Sequence, residues 1–198
     1  NVPQGFYTGS NVALGAQSSA LMTGTNNVAL GNGSLQQLTT GINNLGIGSL
    51  ALFGLLAGSS NIGVGTQANF LATGNECTAI GGYAGYATGI TPSTANALTT
   101  GYQNLFIGGQ AGFNSATQRN YTTAIGNLSA VEGDYATAIG RRVLAGAAGA
   151  VAIGADNAGT SASTSTANDF RLGTALHTIT GLGKLALGGV GSFGGGGT

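Results

Sequence analysis

The residues with the most obvious chemical potential are Glu132 and Asp134 in "VEGDYA", the one close pair of carboxylates in the chain. Two carboxyl groups flanking a glycosidic bond are what sugar hydrolysis requires, one as acid and one as base or nucleophile. This pair brackets a glycine in a turn-forming stretch, so we read it as a solvated corner. Two further stretches, "GVGTQA" from Gly63 and "GLGKLA" around Gly183, fit Gly-x-Gly-x-x-Ala. A dinucleotide loop must open a helix, and no helical pattern follows either one, so both are read as turns. His177 has no second histidine and no nearby nucleophile, which makes it a structural or surface residue. Cys77 is the only cysteine, which excludes an intrachain disulfide and a cysteine-based metal cluster. No catalytic residue, metal or cofactor is expected.

The aromatic residues are more suggestive. Tyr83, Tyr86, Tyr102, Phe106, Phe113 and Tyr121 crowd into one region. Aromatic faces beside a surface loop make a sugar-binding platform, so Tyr83, Tyr86, Tyr102, Phe113 and Tyr121 are the candidate receptor or glycan contacts. The competing reading is that these rings pad the base of a loop.

Such side chains need a scaffold, and the composition is unusual for one. Of 198 residues 39 are glycine, 5% are charged, 42% are apolar and none is tryptophan. Disordered chains are poor in aliphatics and rich in charge, so this chain is expected to be ordered. The net charge is zero and the first charged side chain is Glu76, which leaves nothing to hold a phosphate backbone and argues against nucleic acid. The most apolar run, Leu45 to Gly58, is shorter than the roughly 20 residues that span a bilayer, so membrane insertion is not expected.

The organising fact is a repeat. "NVALG", "NLGIG", "NIGVG", "CTAIG", "NLFIG", "TTAIG", "ATAIG" and "AVAIG" close on Gly15, Gly31, Gly48, Gly65, Gly81, Gly108, Gly126, Gly140 and Gly154, with intervals of 16, 17, 17, 16, 27, 18, 14 and 14. Self-similarity at this period marks stacked structural units. Within each unit the pattern has period two: Val12 and Leu14, or Val151 and Ile153, share one face of a strand, and Ala13, Ala152 and the glycines the other. Segments such as "SLQQLTTGINN" predict a second strand midway, and the Gly and Asn residues predict corners with positive φ. About nine coils stacked at ~4.8 Å give a rod of roughly 40 Å. Its core is expected to be a ladder of Leu, Ile and Val, with the Ala and Gly face in a tight turn or against a partner chain. The long interval predicts an inserted lateral loop near residues 87–100, around Pro92. Arg141 and Arg142 are expected on opposite faces, pairing with Glu132 or Asp134 of neighbouring coils. So little charge leaves apolar flanks that a homotrimer would cover.

"ATAIGRRVLAGAAGAVAIGAD" resembles the heads of trimeric autotransporter adhesins, and "TTGINNLGIGSLAL", "NECTAIGGYAG" and "TTGYQNLFIGGQAG" are similar to repeats of bacteriophage tail fibres and spikes. The resemblance covers residues 11–154. It implies a left-handed parallel β-roll or β-helix, all-β, assembled as an intertwined or side-by-side homotrimer. "NDFRLGTALHTITGLGKLALGG" resembles the segment that closes such rolls in phage fibres, which favours the phage reading. Three regions follow: an N-terminal docking segment over 1–10, the roll over 11–160, and closing strands with a Gly-rich tail over 161–198. The function expected is that of a structural and adhesive virion protein, a tail fibre, tailspike or head fibre. It would bind other virion proteins of the tail or capsid and a host-surface glycan or protein. The alternatives are the head of a bacterial surface adhesin and a polysaccharide-degrading tailspike.

Overall fold

A computed structural model describes residues 5–8, 10–18, 21–70, 74–85, 101–113, 119–154 and 162–173. The chain is an all-β parallel solenoid. Its main sheet holds β1 (Gly5–Thr8), β2 (Asn11–Leu14), β3 (Val28–Leu30), β4 (Leu45–Ile47), β5 (Ile62–Val64), β6 (Thr78–Ile80), β7 (Leu105–Ile107), β9 (Thr123–Ile125), β11 (Thr137–Ile139), β13 (Val151–Ile153) and β15 (Phe170–Leu172), in that spatial order. Every pairing from β2 onward is parallel and in exact register, so Leu30 lies over Leu14 and Ile139 over Ile125. Eight windings separate Gly15 from Gly154, and a ninth reaches β15. At the N-terminal end β1 turns back and pairs with β2 antiparallel. A second, four-stranded parallel sheet on the far side holds β8 (Gly112–Phe113), β10 (Ala130–Val131), β12 (Leu144–Ala145) and β14 (Ser163–Thr164).

The core is the reverse of the one expected. From β3 to β13 the middle residue of each main-sheet strand points inward, so Ala29, Ala79, Ala124, Ala138 and Ala152 are fully buried, with Phe106 in the same position of β7. The flanking Val, Leu and Ile residues point outward and are partly exposed in every coil from β3 to β13. A winding of this length has an interior only a few side chains wide, so the inward strand position accepts methyl groups or glycine. At Gly46 even a Cβ would come within 2.5 Å of the Ser34 hydroxyl oxygen. The remaining interior is filled from the far side, by Leu35, Leu38, Leu52 and Leu55 in the early coils and by Val131 and Val143 in the later ones. Where Phe106 enters, Phe113 meets it edge-on, with ring centroids 5.0 Å apart.

Among the described residues the midway strand is present only in the later coils. In "SLQQLTTGINN" the chain instead makes turns in which Leu35 has φ 50°, as has Leu52 at 52° one coil on. The backbone still bonds coil to coil there, with Leu35 N–H donating to Ala51 C=O and Thr39 N–H to Leu56 C=O. Glycine is obligatory just after each main strand. Gly15, Gly31, Gly48 and Gly65 have φ between 124° and 132°, and a Cβ on any of them would lie 2.5–2.6 Å from backbone of the next coil.

Candidate functional site

Two surfaces have enough organisation to carry function. The first is the outward face of the main sheet, where the third strand position is aliphatic in all ten parallel rungs: Leu14, Leu30, Ile47, Val64, Ile80, and onward through Ile107, Ile125, Ile139 and Ile153 to Leu172. Leu14 is 42% exposed and Ile80 40%.

The second is the corner that precedes each main strand. One residue there is left-handed in each coil from β3 onward: Asn26, Asn43, Ser60, Glu76, Gln103, Tyr121, Tyr135 and Asn168 have φ between 54° and 60°, and Gly149 has φ 66°. Asn and Gly adopt this conformation at low cost, whereas Tyr does not. The column stays in register because each backbone N–H donates to the coil before, Gln103 to Asn75 C=O, Tyr121 to Tyr102 C=O and Tyr135 to Asn120 C=O. Side chains one residue earlier reinforce it. Asn75 Oδ1 accepts from Ser59 N–H at 2.7 Å, Asn120 Oδ1 from Tyr102 N–H at 3.0 Å, and Asp134 Oδ1 from Asn120 N–H at 2.9 Å.

Behind this corner a buried amide ladder shuts the coils. Asn11, Asn27, Asn44 and Asn61 each donate from Nδ2 to a carbonyl across their own coil, at Gly24, Gly41, Gly58 and Gly74, over 2.6–2.9 Å. Each Oδ1 then accepts the backbone N–H that opens the next coil, at 2.8–3.0 Å. This accounts physically for the "TTGINN" motif: its glycine carbonyl receives the amide of the preceding rung and its last Asn is the next rung. Cys77 occupies the fifth rung, where its thiol donates to Gly101 C=O at 3.3 Å, and burial pushes that thiol above its ordinary pKa.

The corner opens into a groove of about 460 Å³ between Ser59 and Ser60 on one side and Tyr102 and Tyr121 on the other, with Asn75, Glu76 and Gln103 as its floor and wall. Gln103 Nε2 donates to Glu76 Oε2 at 2.6 Å. Tyr121 continues into Tyr135 as a face-to-face stack, centroids 5.0 Å apart and planes within 1°.

Of the aromatic residues singled out from the sequence, Tyr102 and Tyr121 share this groove. Tyr83 stands at a different corner, after β6, in the column of Gln67 and Gln110. Phe113 is 2% exposed and belongs to the core. Tyr86, the proposed loop at 87–100, His177 and "GLGKLA" lie outside the described residues. "GVGTQA" runs from β5 into a turn. Asp134 has one carboxylate oxygen committed to the corner column, and Arg141 and Arg142 are exposed in the turn after β11. Tyr135 was missed, although the 14-residue interval from Tyr121, one full coil, is the signal that would have found it. No family model matches the chain, and no curated protein or solved structure is significantly similar to it.

Proposed function

We propose that the chain is a structural and adhesive protein of a phage virion, a homotrimeric tail fibre, tailspike or head fibre that presents a stiff shaft to a host surface without catalysis. The observation that carries this reading is the outward aliphatic ladder. Ten rungs at ~4.8 Å make a continuous apolar stripe about 40 Å long, far beyond the scattered exposed leucines of an ordinary surface. A stripe parallel to the axis of a rod is covered most economically by copies of the same rod around a common axis. Attachment to a virion rests on the resemblance of the "TTGINNLGIG" and "TTGYQNLFIG" repeats to phage fibres. The 14-residue coils support a second reading, the head of a bacterial surface adhesin built on the same assembly. A depolymerising role for Glu132 and Asp134 is disfavoured by the use of Asp134 as a coil-to-coil acceptor.

Light scattering tests the reading directly. A mass of three 19.1 kDa chains and an elongated scattering profile are expected. Ile107→Asp with Ile125→Asp, which places carboxylates on the stripe but leaves every inward residue alone, is expected to give single chains. A wild-type protein that stays at the mass of one chain overturns the proposal.

A further inference from the structure

We infer that the corner groove, extended by the Tyr121–Tyr135 stack, is a binding site for an uncharged oligosaccharide lying along the rod axis. The inference deepens the adhesive reading and rests on it. Three independent features point to this class of ligand. The aromatic surface is the first: Tyr102 and Tyr121 are half exposed and Tyr135 is 64% exposed. The next residue in the column after Tyr135 is Gly149, which has no side chain of its own, and the Asn168 amide of the following coil lies beside it. Pyranose C–H faces pack on rings presented in this way. The polar groups are the second. Glu76 and Gln103 are joined by a single hydrogen bond, leaving the other carboxylate oxygen and the amide oxygen as acceptors beside the Ser59 and Ser60 hydroxyls. Such a mixture of acceptors and hydroxyls matches the vicinal hydroxyls of a sugar. A volume of about 460 Å³ falls within the roughly 300–1,000 Å³ usual for small-ligand sites.

Charge is the third feature and sets the specificity. Glu76 is the first charged residue of the chain and Arg119 the next, and no cation lines the groove. A sulfated or uronic-acid chain would meet an unbalanced carboxylate, whereas a neutral or N-acetylated chain would donate hydroxyl protons to it. The axial direction follows from the column itself. Its side chains recur once per coil at ~4.8 Å, close to the advance per residue of an extended glycan, so successive sugars would meet equivalent positions.

The test uses the full-length protein on a printed array of bacterial surface oligosaccharides containing both uncharged and anionic members. Retention on uncharged members is expected, with none on the anionic ones. For the best uncharged binder, calorimetry should show a loss of about tenfold in Tyr121→Asn and again in Tyr135→Asn, and a smaller loss in Glu76→Gln. Asparagine is chosen because Asn26 and Asn43 hold the same left-handed conformation in the same column, so the fold is preserved. Melting and light scattering of each variant verify that. Binding only to anionic glycans, no binding to any glycan, or equal binding by the tyrosine variants overturns the inference. If the mass of the wild type is still that of three chains, the adhesive-rod reading survives and the groove alone is rejected.

Discussion

In the coils that begin at Asn27, Asn44 and Asn61, 16 or 17 residues are closed by a buried side-chain amide, and the far side is a run of turns, padded by leucine in the first two. In those that begin at Thr122 and Ala136, 14 residues are closed by the backbone itself, with Ala136 N–H donating to Gly133 C=O at 3.3 Å and Ala150 N–H to Ala147 C=O at 3.2 Å. The far side there straightens into β10 and β12. The difference teaches what an extra two or three residues cost. A longer winding leaves a corner whose carbonyl and N–H groups no longer reach each other, and a buried Asn with two donors and one acceptor spans the gap. The shorter winding has no such gap, and alanine suffices. Asn104 fits the rule, since its 18-residue coil again needs an amide, here donated to Arg119 C=O at 2.8 Å.

Substitution of the strand-end glycines should have the largest effect, and it sets Gly140 apart rather than the shorter coils as a whole, since a Cβ on Gly126 would still lie 2.4 Å from Gly140 C=O. Gly48→Ala drives a Cβ to 2.6 Å from Gly65 C=O, whereas at Gly140 the nearest atom is a Val143 methyl at 3.0 Å. Both carry the cost of positive φ, but only the first also collides with backbone. We expect a loss of about 3 kcal/mol for Gly48→Ala and about half that for Gly140→Ala in urea unfolding followed by circular dichroism. Equal losses would break the comparison. Next comes the amide ladder itself. Asn44→Ala removes the bond to Gly58 C=O and the acceptor for Asn61, stranding buried polar groups at a cost of about 2–3 kcal/mol. Thr122→Ala removes a single bond to Asn104 Oδ1 at 2.8 Å, for a cost of about 1 kcal/mol. The smallest effect should be a gain. Cys77→Asn restores the missing rung between Asn61 and Asn104, with Gly101 C=O already positioned to accept, and should stabilise by up to about 1 kcal/mol. A destabilised variant would mean that the ladder tolerates only the length of a cysteine there.

Much of this was visible in the residues alone. The "NVALG"-type spacing predicted the main strands and their stacking, because each coil repeats the same inward and outward alternation, but not that the midway strand would be confined to the later coils. Alternation has no sign, however, and it was the narrowness of the interior, absent from a one-dimensional pattern, that put Ala29 and Ala138 inside and Leu30 and Ile139 outside. The left-handed leucines Leu35, Leu50 and Leu52 were equally hidden, since leucine carries no local preference for that conformation and only packing against the next coil imposes it. The groove was half legible: Tyr102 and Tyr121 stood out as aromatics, but Glu76, 26 residues before Tyr102, is brought to them by winding.

Parallel rungs have an inherent hazard, because a terminal rung offers the same pattern of donors and acceptors as the one beneath it and invites another molecule to continue the stack. The reversed β1 answers this at its own end. A newcomer arriving there meets a strand of opposite polarity, against which a further parallel winding loses its register. The parallel stack therefore stops at β2 on that side, where the next strand runs the other way.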